Sequence, residues 1–205
     1  MSNSNIYING DNGKEYNLFP YPSWKHERII SNLNSQFERH FNNSNCNRCD
    51  VFGSNTGLFI GNRWDLIKDI VSVQEEFKEK IEQNKQYDVS ISPDLMIICN
   101  YKSSDFDYRG YHKTPLIIVE VASPSTQGDD LTWKKDIYEA IQVKEYWFIS
   151  DISNVNVFRL IDSKFKMFKY QAIYKDNGKL SILEVTSTLF DGAIKFDSSI
   201  IDDIE

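Results

Sequence analysis

Two carboxylates and one lysine lie within a short central segment of the chain and could together act on a phosphate ester. Asp94 enters one apolar run, Glu120 stands at the end of a second, and Lys134 follows in a segment of helical character. Carboxylate oxygens bind divalent cations, and a bound cation can activate water and polarise a phosphate. These residue types therefore point to metal-assisted hydrolysis.

Both acids belong to segments that predict buried strands. Residues 92–99 form an apolar run entered through Pro93-Asp94, and residues 115–122 carry Glu120 at their apolar end. Continuous apolar runs are typical of strands covered on both faces. Because an unpaired buried glutamate is costly, Glu120 is expected to have a cation or hydrogen-bond donors beside it.

Lys134 falls in a segment that predicts a helix. A polar segment breaks the second strand, and Asp129 or Asp130 can cap a helix that continues from residue 131 to about residue 142. Asp130, Lys134 and Tyr138 are spaced at i, i+4 and i+8, so they share one helix face.

A third apolar run, residues 143–149, follows the helix at once. Strand, helix and strand at this length predict a parallel crossover. The polar helix face then lies near the strand end that carries Glu120. Trp133, Ile137 and Ile141 form another stripe, which is expected to pack on the sheet.

These motifs, in this order, resemble the Uma2 family of putative restriction endonucleases, also called DUF820, in the PD-(D/E)xK nuclease superfamily. A weaker resemblance extends the match to about residues 20–201. The residues that carry the central resemblance are Pro93-Asp94, Ile118-Val119-Glu120-Val121, Ser123-Pro124-Ser125-Thr126, Asp130, Lys134, Tyr138, Val143 and Glu145-Tyr146-Trp147.

The resemblance implies a restriction-endonuclease-like α/β fold, with a mixed β-sheet flanked by helices, and a site for Mg²⁺ or Mn²⁺. It implies Asp94, Glu120 and Lys134 as catalytic residues. Asp94, Glu120 and the backbone carbonyl of Val121 would be the metal ligands. The superfamily's simplest pattern has its lysine two residues after the acid, where this chain has Ala122.

In the Uma2 pattern the lysine has moved to the following helix, at the position of Lys134. Lys135 is turned about 100° away on the same helix and is expected to point elsewhere. The N-terminal region departs from the family pattern, because residues 15–19 do not match the Glu-Leu-Ile-x-Gly-like stretch of many relatives. An additional N-terminal site acid is therefore unassigned, with His26 and Glu27 as candidates; a structural or exposed His26 is the more economical interpretation.

Composition sets the expected domain organisation and location. The chain has 205 residues, of which 40% are hydrophobic, enough for one sizeable core. We expect a polar N-terminal segment, residues 1–19, and a single Uma2-like domain, residues 20–201. No apolar run reaches membrane-spanning length and the first residues do not form a signal peptide, so we expect a soluble cytoplasmic protein without membrane contact.

Helices are also predicted near residues 21–41 and 65–84, and short strands within residues 46–61. Residues 164–170 and 180–185 predict two strands that extend the sheet in antiparallel orientation and are joined through Asp176-Asn177-Gly178.

Cys46 and Cys49 lack a second pair of ligands to complete a zinc site, so we expect reduced structural cysteines.

The net charge of −7 argues mildly against a protein that coats nucleic acid. Residues 159–179, however, contain six basic and two acidic side chains, which form either a DNA-binding face or a solvated, protected sheet edge.

We predict a DNA endonuclease. Paired cuts on the two strands of duplex DNA would favour a homodimer with twofold symmetry. The alternatives are a catalytically idle binding module and, last, a carboxylate-pair glycosidase, which leaves Lys134 without a role.

Overall fold

The structure is a computed structural model and describes residues 7–9, 15–17, 24–43, 48–85, 88–123, 127–173 and 181–196. The predicted domain boundaries, at residues 19–20 and 201, lie outside these ranges. The helices within them are α1 (Trp24–Asn43), α2 (Trp64–Val71), α3 (Glu75–Glu82), α4 (Gln127–Leu131) and α5 (Trp133–Ala140).

The strands of the described residues form one large sheet and three small ones. They are β1 (Tyr7–Asn9), β2 (Glu15–Asn17), β3 (Cys49–Gly53), β4 (Leu58–Phe59), β5 (Ser90–Ile91), β6 (Leu95–Cys99), β7 (Phe106–Asp107), β8 (Gly110–Tyr111), β9 (Ile117–Val121), β10 (Glu145–Asp151), β11 (Asn154–Ile161), β12 (Lys164–Gln171), β13 (Leu183–Thr186) and β14 (Ala193–Phe196).

The large sheet has the strand order β12-β11-β10-β9-β6-β3. Strands β9 and β10 run parallel, as the strand, helix and strand pattern predicts, and the other neighbours are antiparallel. The sheet is therefore mixed. Every residue of β9 is buried, which confirms the expectation that this apolar run is covered on both faces.

Helices cover the two faces of the sheet. Helix α1 packs its apolar stripe, Ile29, Leu33, Phe37 and Phe41, into a core with alternate residues of β6, β9 and β10. The remaining residues of those strands form a second core with α2 and α5, which includes the predicted stripe Trp133, Ile137 and Ile141. The predicted α/β class, with a mixed sheet flanked by helices, is confirmed.

Two of the small sheets complete the two cores. The sheet β5-β4-β8-β7 contributes Leu58, Ile91 and Tyr111 to the core of α2 and α5. Hairpin β13–β14 packs Leu183 and Val185 against the core of α1. None of the helices described here is long and apolar enough to cross a membrane.

Two predicted elements differ from the structure. The helix expected from residue 131 is divided at Thr132, whose φ of −114° and ψ of −106° are not helical, so Asp129 and Asp130 lie inside α4 instead of capping a longer helix. Strand β13 does not extend the large sheet, because it pairs with β14. Its alternating buried Leu183 and Val185 instead cover the core of α1. The predicted turn at residues 176–178 lies outside the described residues.

The cysteine prediction was wrong. Cys49 and Cys99 face each other across β3 and β6 and form a disulfide. The sequence did not indicate this pair because 50 residues separate its members. Cys49 is consequently no zinc ligand, and Cys46 lies outside the described residues. Disulfides are uncommon in reducing compartments, so the cysteines do not support the cytoplasmic location, which stays a prediction.

A fully buried glutamate fastens the segment after β13 to the sheet. Glu145 in β10 accepts hydrogen bonds from the backbone N–H and the hydroxyl of Thr188, both 2.8 Å, and from the Trp147 indole N–H, 2.9 Å. Arg159 Nε lies 3.5 Å from its carboxylate. These contacts explain why Glu145 is tolerated in a strand that is otherwise apolar.

We predict that Glu145→Ala lowers the free energy of unfolding by about 3–5 kcal/mol, because it leaves the buried Trp147 N–H without its acceptor and the Arg159 charge without its carboxylate. Urea denaturation followed by circular dichroism measures the change. Glu184→Ala is the control, since Glu184 forms an exposed pair with Lys195 and should cost at most about 1 kcal/mol. Equal losses in the two variants would contradict the proposed anchoring role.

Candidate active site

The register of two strands brings the predicted acids together. Leu95 of β6 pairs with Val119 of β9, so the next residues along, Asp94 and Glu120, are neighbours at the sheet end. The Asp94 backbone N–H donates to Glu120 Oε2 at 3.4 Å. Asp94 Oδ2 accepts from the Val121 N–H at 2.7 Å. The two carboxylates are thus held by the backbone of the opposite strand.

The third predicted residue, Lys134, reaches Glu120 from α5. Its Nζ lies 3.3 Å from Glu120 Oε1 and 2.8 Å from Asp130 Oδ1. The break at Thr132 does not separate this group, since Asp130 in α4 still forms an i, i+4 pair with Lys134. Lys135 forms its ion pair with Asp136 instead, at 2.6 Å.

Tyr138 belongs to the same group of contacts. Its side chain is fully buried, and its hydroxyl donates to Glu120 Oε1 at 2.7 Å. The sequence suggested a packing residue with its hydroxyl at the edge of the site. The i+8 spacing from Asp130 was the available signal, because it places Tyr138 on the face of Lys134.

Burial makes this cluster electrostatically demanding. Glu120 is 3% exposed and Asp130 is 0% exposed. Burial raises the pKa of Glu120 to about 8, and Asp130 and Asp94 add to the increase, while Lys134 and the Tyr138 hydroxyl oppose it. A raised carboxyl pKa means that the site takes up positive charge readily, either as a proton or as a cation.

The Lys134 ammonium is held in its charged form. Burial lowers its pKa, but the negative charges of Glu120 and Asp130 more than offset that effect, so the pKa is raised. The pKa values of Glu120 and Lys134 are therefore both raised. The two increases have a common cause, because three carboxylates lie near a single lysine and the excess negative charge favours a proton on each group.

His26 is the residue that sequence reasoning underestimated. It lies on the buried stripe of α1, is 8% exposed, and places Nε2 3.2 Å from Asp94 Oδ2. The hydrogen bond to Asp94 raises the pKa of His26 against the opposing effect of burial. The other candidate, Glu27, is exposed and lies 3.6 Å from His26 Nδ1. The helical spacing of His26 from Ile29 and Leu33 was the missed signal.

The oxygen donors of Asp94 and Glu120 fit a hard divalent cation in a limited way. Within the described ranges, no group of three or more His, Cys, Asp and Glu side chains is arranged to hold a metal ion. Mg²⁺ is usually bound through one or two carboxylates together with waters and substrate oxygens, so two acids suffice for that kind of site.

Comparison with known proteins identifies the family of this chain. The family model for Uma2, described as "Putative restriction endonuclease", matches residues 85–187, about half of the chain. The chain belongs to the Uma2 family. The matched span contains Asp94, Glu120 and Lys134.

A solved structure, described as a putative nuclease belonging to DUF820 from Anabaena variabilis ATCC 29413, is also similar to this chain. The two share 15% sequence identity, with 82% of this chain and 79% of the other covered and a TM-score of 0.47. No curated protein matches the sequence.

The raised pKa of Glu120 predicts how stability changes with pH in metal-free protein. Folded Glu120 holds its proton to about pH 8, whereas unfolded glutamate releases it near its ordinary value of 4.5. The folded state therefore binds more protons between these values, and the melting temperature in EDTA should fall as pH rises from 6 to 9. His26, whose pKa is also raised, contributes in the same direction.

Glu120→Gln should flatten this decrease, which differential scanning fluorimetry can measure. Glu139→Gln, in α5, is the control because it removes one carboxylate outside the cluster. The pKa of Glu139 is lowered, because its pairing with Lys164 and the Phe165 N–H outweighs burial, so its stabilisation is lost only in acid. A Glu120→Gln profile as steep as that of Glu139→Gln would contradict the assignment.

Proposed function

We propose that this protein is a metal-dependent endonuclease that hydrolyses DNA phosphodiester bonds, as a PD-(D/E)xK-type enzyme. The observation that carries the proposal is the cluster at the end of β6 and β9, where Asp94 and Glu120 are neighbours and Lys134 reaches Glu120. Membership of a family described as restriction endonucleases supports a nuclease in general. DNA as substrate and Mg²⁺ or Mn²⁺ as cofactor belong to the proposal.

Asp94 and Glu120 would hold the cation, with the carbonyl of Val121 as a further ligand. Bound there, the cation would lower the pKa of a water and polarise the phosphate. His26 and the Val121 N–H fix the orientation of Asp94, and Tyr138 fixes that of Glu120. No covalent intermediate with the protein is required.

Lys134 would act directly on the reacting groups. Its charged ammonium can orient the attacking water or offset the negative charge that develops on the phosphate. Asp130 acts through it as a positioning residue, since its carboxylate contacts Lys134 at 2.8 Å and its backbone carbonyl accepts from the Tyr146 hydroxyl at 2.9 Å. Both contacts hold the lysine toward Glu120.

The catalytically idle binding module is the second candidate. The observation that favours it is that both oxygens of Glu120 already have hydrogen-bond partners within the protein. A buried ion pair of this kind can be purely structural. Incubation with supercoiled, linear and single-stranded DNA in Mg²⁺ and in Mn²⁺ separates the two: binding without any cleavage supports the idle module.

Removal of the Lys134 charge should lower the cleavage rate. We predict that Lys134→Met reduces kcat by about two orders of magnitude, as expected when a positioned charge is lost, while cation affinity measured by calorimetry changes little. Lys135→Met should be nearly silent because Lys135 pairs with Asp136. Equal activities for the two variants would remove Lys134 from the catalytic group.

The basic strand β12 offers a path for the DNA backbone. Lys169 pairs with Asn156, Asn156 with Phe148, and Phe148 with Glu120, so these residues form one row across the sheet. Side chains in one row project from the same face. Lys169 therefore stands on the face of Glu120, at three strand spacings or about 14 Å. Lys166, three residues earlier, projects from the opposite face.

We predict that Lys169→Ala weakens DNA binding and reduces the salt dependence of log Kd by about one unit, as for one lost phosphate contact. Lys166→Ala is the control with the same change of charge. Fluorescence anisotropy over a range of salt concentrations, in a Glu120→Gln background that prevents cleavage, gives both values. Identical salt slopes for the two variants would support edge protection as the role of these lysines.

A further inference from the structure

A cavity of about 630 Å³ lies between β5 and the β7–β8 hairpin. Its lining is mostly polar and includes Ser90, Ser92 and Asp88 on one side and the hairpin tip, Asp107, Tyr108 and Arg109, on the other. No residue of the catalytic cluster belongs to the lining. The cavity is large enough to take a small planar group such as a nucleobase.

The hairpin tip is held rigidly. The Arg109 backbone N–H donates to Asp107 Oδ1 at 2.8 Å, and its guanidinium donates to Asp107 Oδ2 through Nε at 3.0 Å and Nη2 at 2.6 Å. Gly110 has a φ of +118° and lies so close to the Gly57 carbonyl that a side chain would not fit. The Ser90 hydroxyl donates to the Arg109 carbonyl at 2.9 Å.

Tyr108 is the exposed residue on this rigid tip. Its side chain is 90% exposed, although large aromatic residues are usually at least half buried. The Arg109 guanidinium lies 4.2 Å from the Phe59 ring centre and 5.4 Å from the Tyr108 ring centre. An aromatic ring presented to solvent by a fixed turn is preorganised for stacking and requires little ordering when a ligand binds.

The cavity is close to the acids of the active site along the chain. Ser92 lines the cavity and precedes Asp94 by two residues, which corresponds to about 7 Å in an extended chain. Ser90, Ser92 and Asp94 are each at least partly exposed, whereas Ile91 and Pro93 between them are buried. The cavity and Asp94 are therefore about one nucleotide apart on the same accessible edge.

The charges of the cavity select the part of a nucleotide that can enter. Asp88 and Asp107 line it, against the single positive charge of Arg109, which already pairs with Asp107. His112 Nε2 also lies 2.8 Å from Asp107 Oδ1. A phosphate would be repelled by this lining, while an uncharged base with amino groups would find acceptors.

We propose that Tyr108 stacks on an unpaired base of the substrate DNA and that the cavity accommodates this base next to the phosphate to be cut. The proposal rests on the proposed nuclease function and adds a substrate class, namely single-stranded or locally unpaired DNA. In duplex DNA the base is stacked between its neighbours and has no free face for Tyr108.

The test compares two oligonucleotides with the same phosphates, a 12-nucleotide oligodeoxycytidine, whose bases carry amino groups, and its fully abasic counterpart. Anisotropy titrations use the Glu120→Gln protein so that no strand is cut. Tyr108→Ala should weaken binding of the oligodeoxycytidine by about tenfold, which is typical of one lost stacking contact, and leave binding of the abasic strand unchanged. Tyr108→Phe should retain the wild-type preference, because the ring remains.

Leu66→Ala is the control. The Leu66 side chain, on α2, is 59% exposed and does not line the cavity, so its loss should change the affinity for neither oligonucleotide. The proposal would be overturned if Tyr108→Ala weakened the affinity for both oligonucleotides equally, or for neither. Cleavage of single-stranded DNA can also be measured with Glu120 intact. If Tyr108→Ala cuts at the wild-type rate, the stacking site is rejected and the nuclease function is retained. Base-dependent binding without any cleavage would reject the nuclease and retain the stacking site.

Discussion

The buried carboxylate of Glu120 is the constraint on which the rest of this structure depends. A carboxyl group at the end of a fully buried strand is costly unless it has hydrogen-bond partners, and here Lys134, Tyr138 and the Asp94 N–H supply them from three directions. These donors come from α5 and from β6, so the position of the helix against the sheet and the register of β6 with β9 are both tied to one side chain. The same contacts that stabilise the site therefore define its geometry.

A second buried glutamate serves a different purpose, and the contrast separates structure from chemistry. Glu145 is surrounded by Thr188, Trp147 and Arg159, and no second carboxylate contacts it within the part of the chain that the structure describes. At Glu120, by contrast, Asp94 and Asp130 lie close by and raise its pKa together with burial. A fold needs no such crowding of like charges for stability, because repulsion among acids destabilises it. Crowded acids with a raised pKa are instead typical of sites that bind protons, cations or substrates.

The sequence predicted those parts of the fold and site that depend on local patterns. The apolar runs around Asp94 and Glu120 predicted buried strands, and the spacing of Asp130, Lys134 and Tyr138 predicted one face. That face survives the division at Thr132, since Lys134 still contacts Asp130 and Tyr138 still contacts Glu120. Contacts between distant residues could not be read in this way. The bond between Cys49 and Cys99, the pairing of β13 with β14 and the approach of His26 to Asp94 all depend on how separate elements pack.

The position of the lysine on a helix follows from the packing at the end of β9. Residue 122 lies two positions after Glu120 and so projects from the same face, toward the core of α2 and α5. That position holds Ala122, which packs against this core, while Lys134 reaches Glu120 from α5. A lysine at both positions would bring two ammonium groups to one carboxylate. With Ala122 on the strand, the single ammonium group at Glu120 is supplied from the helix.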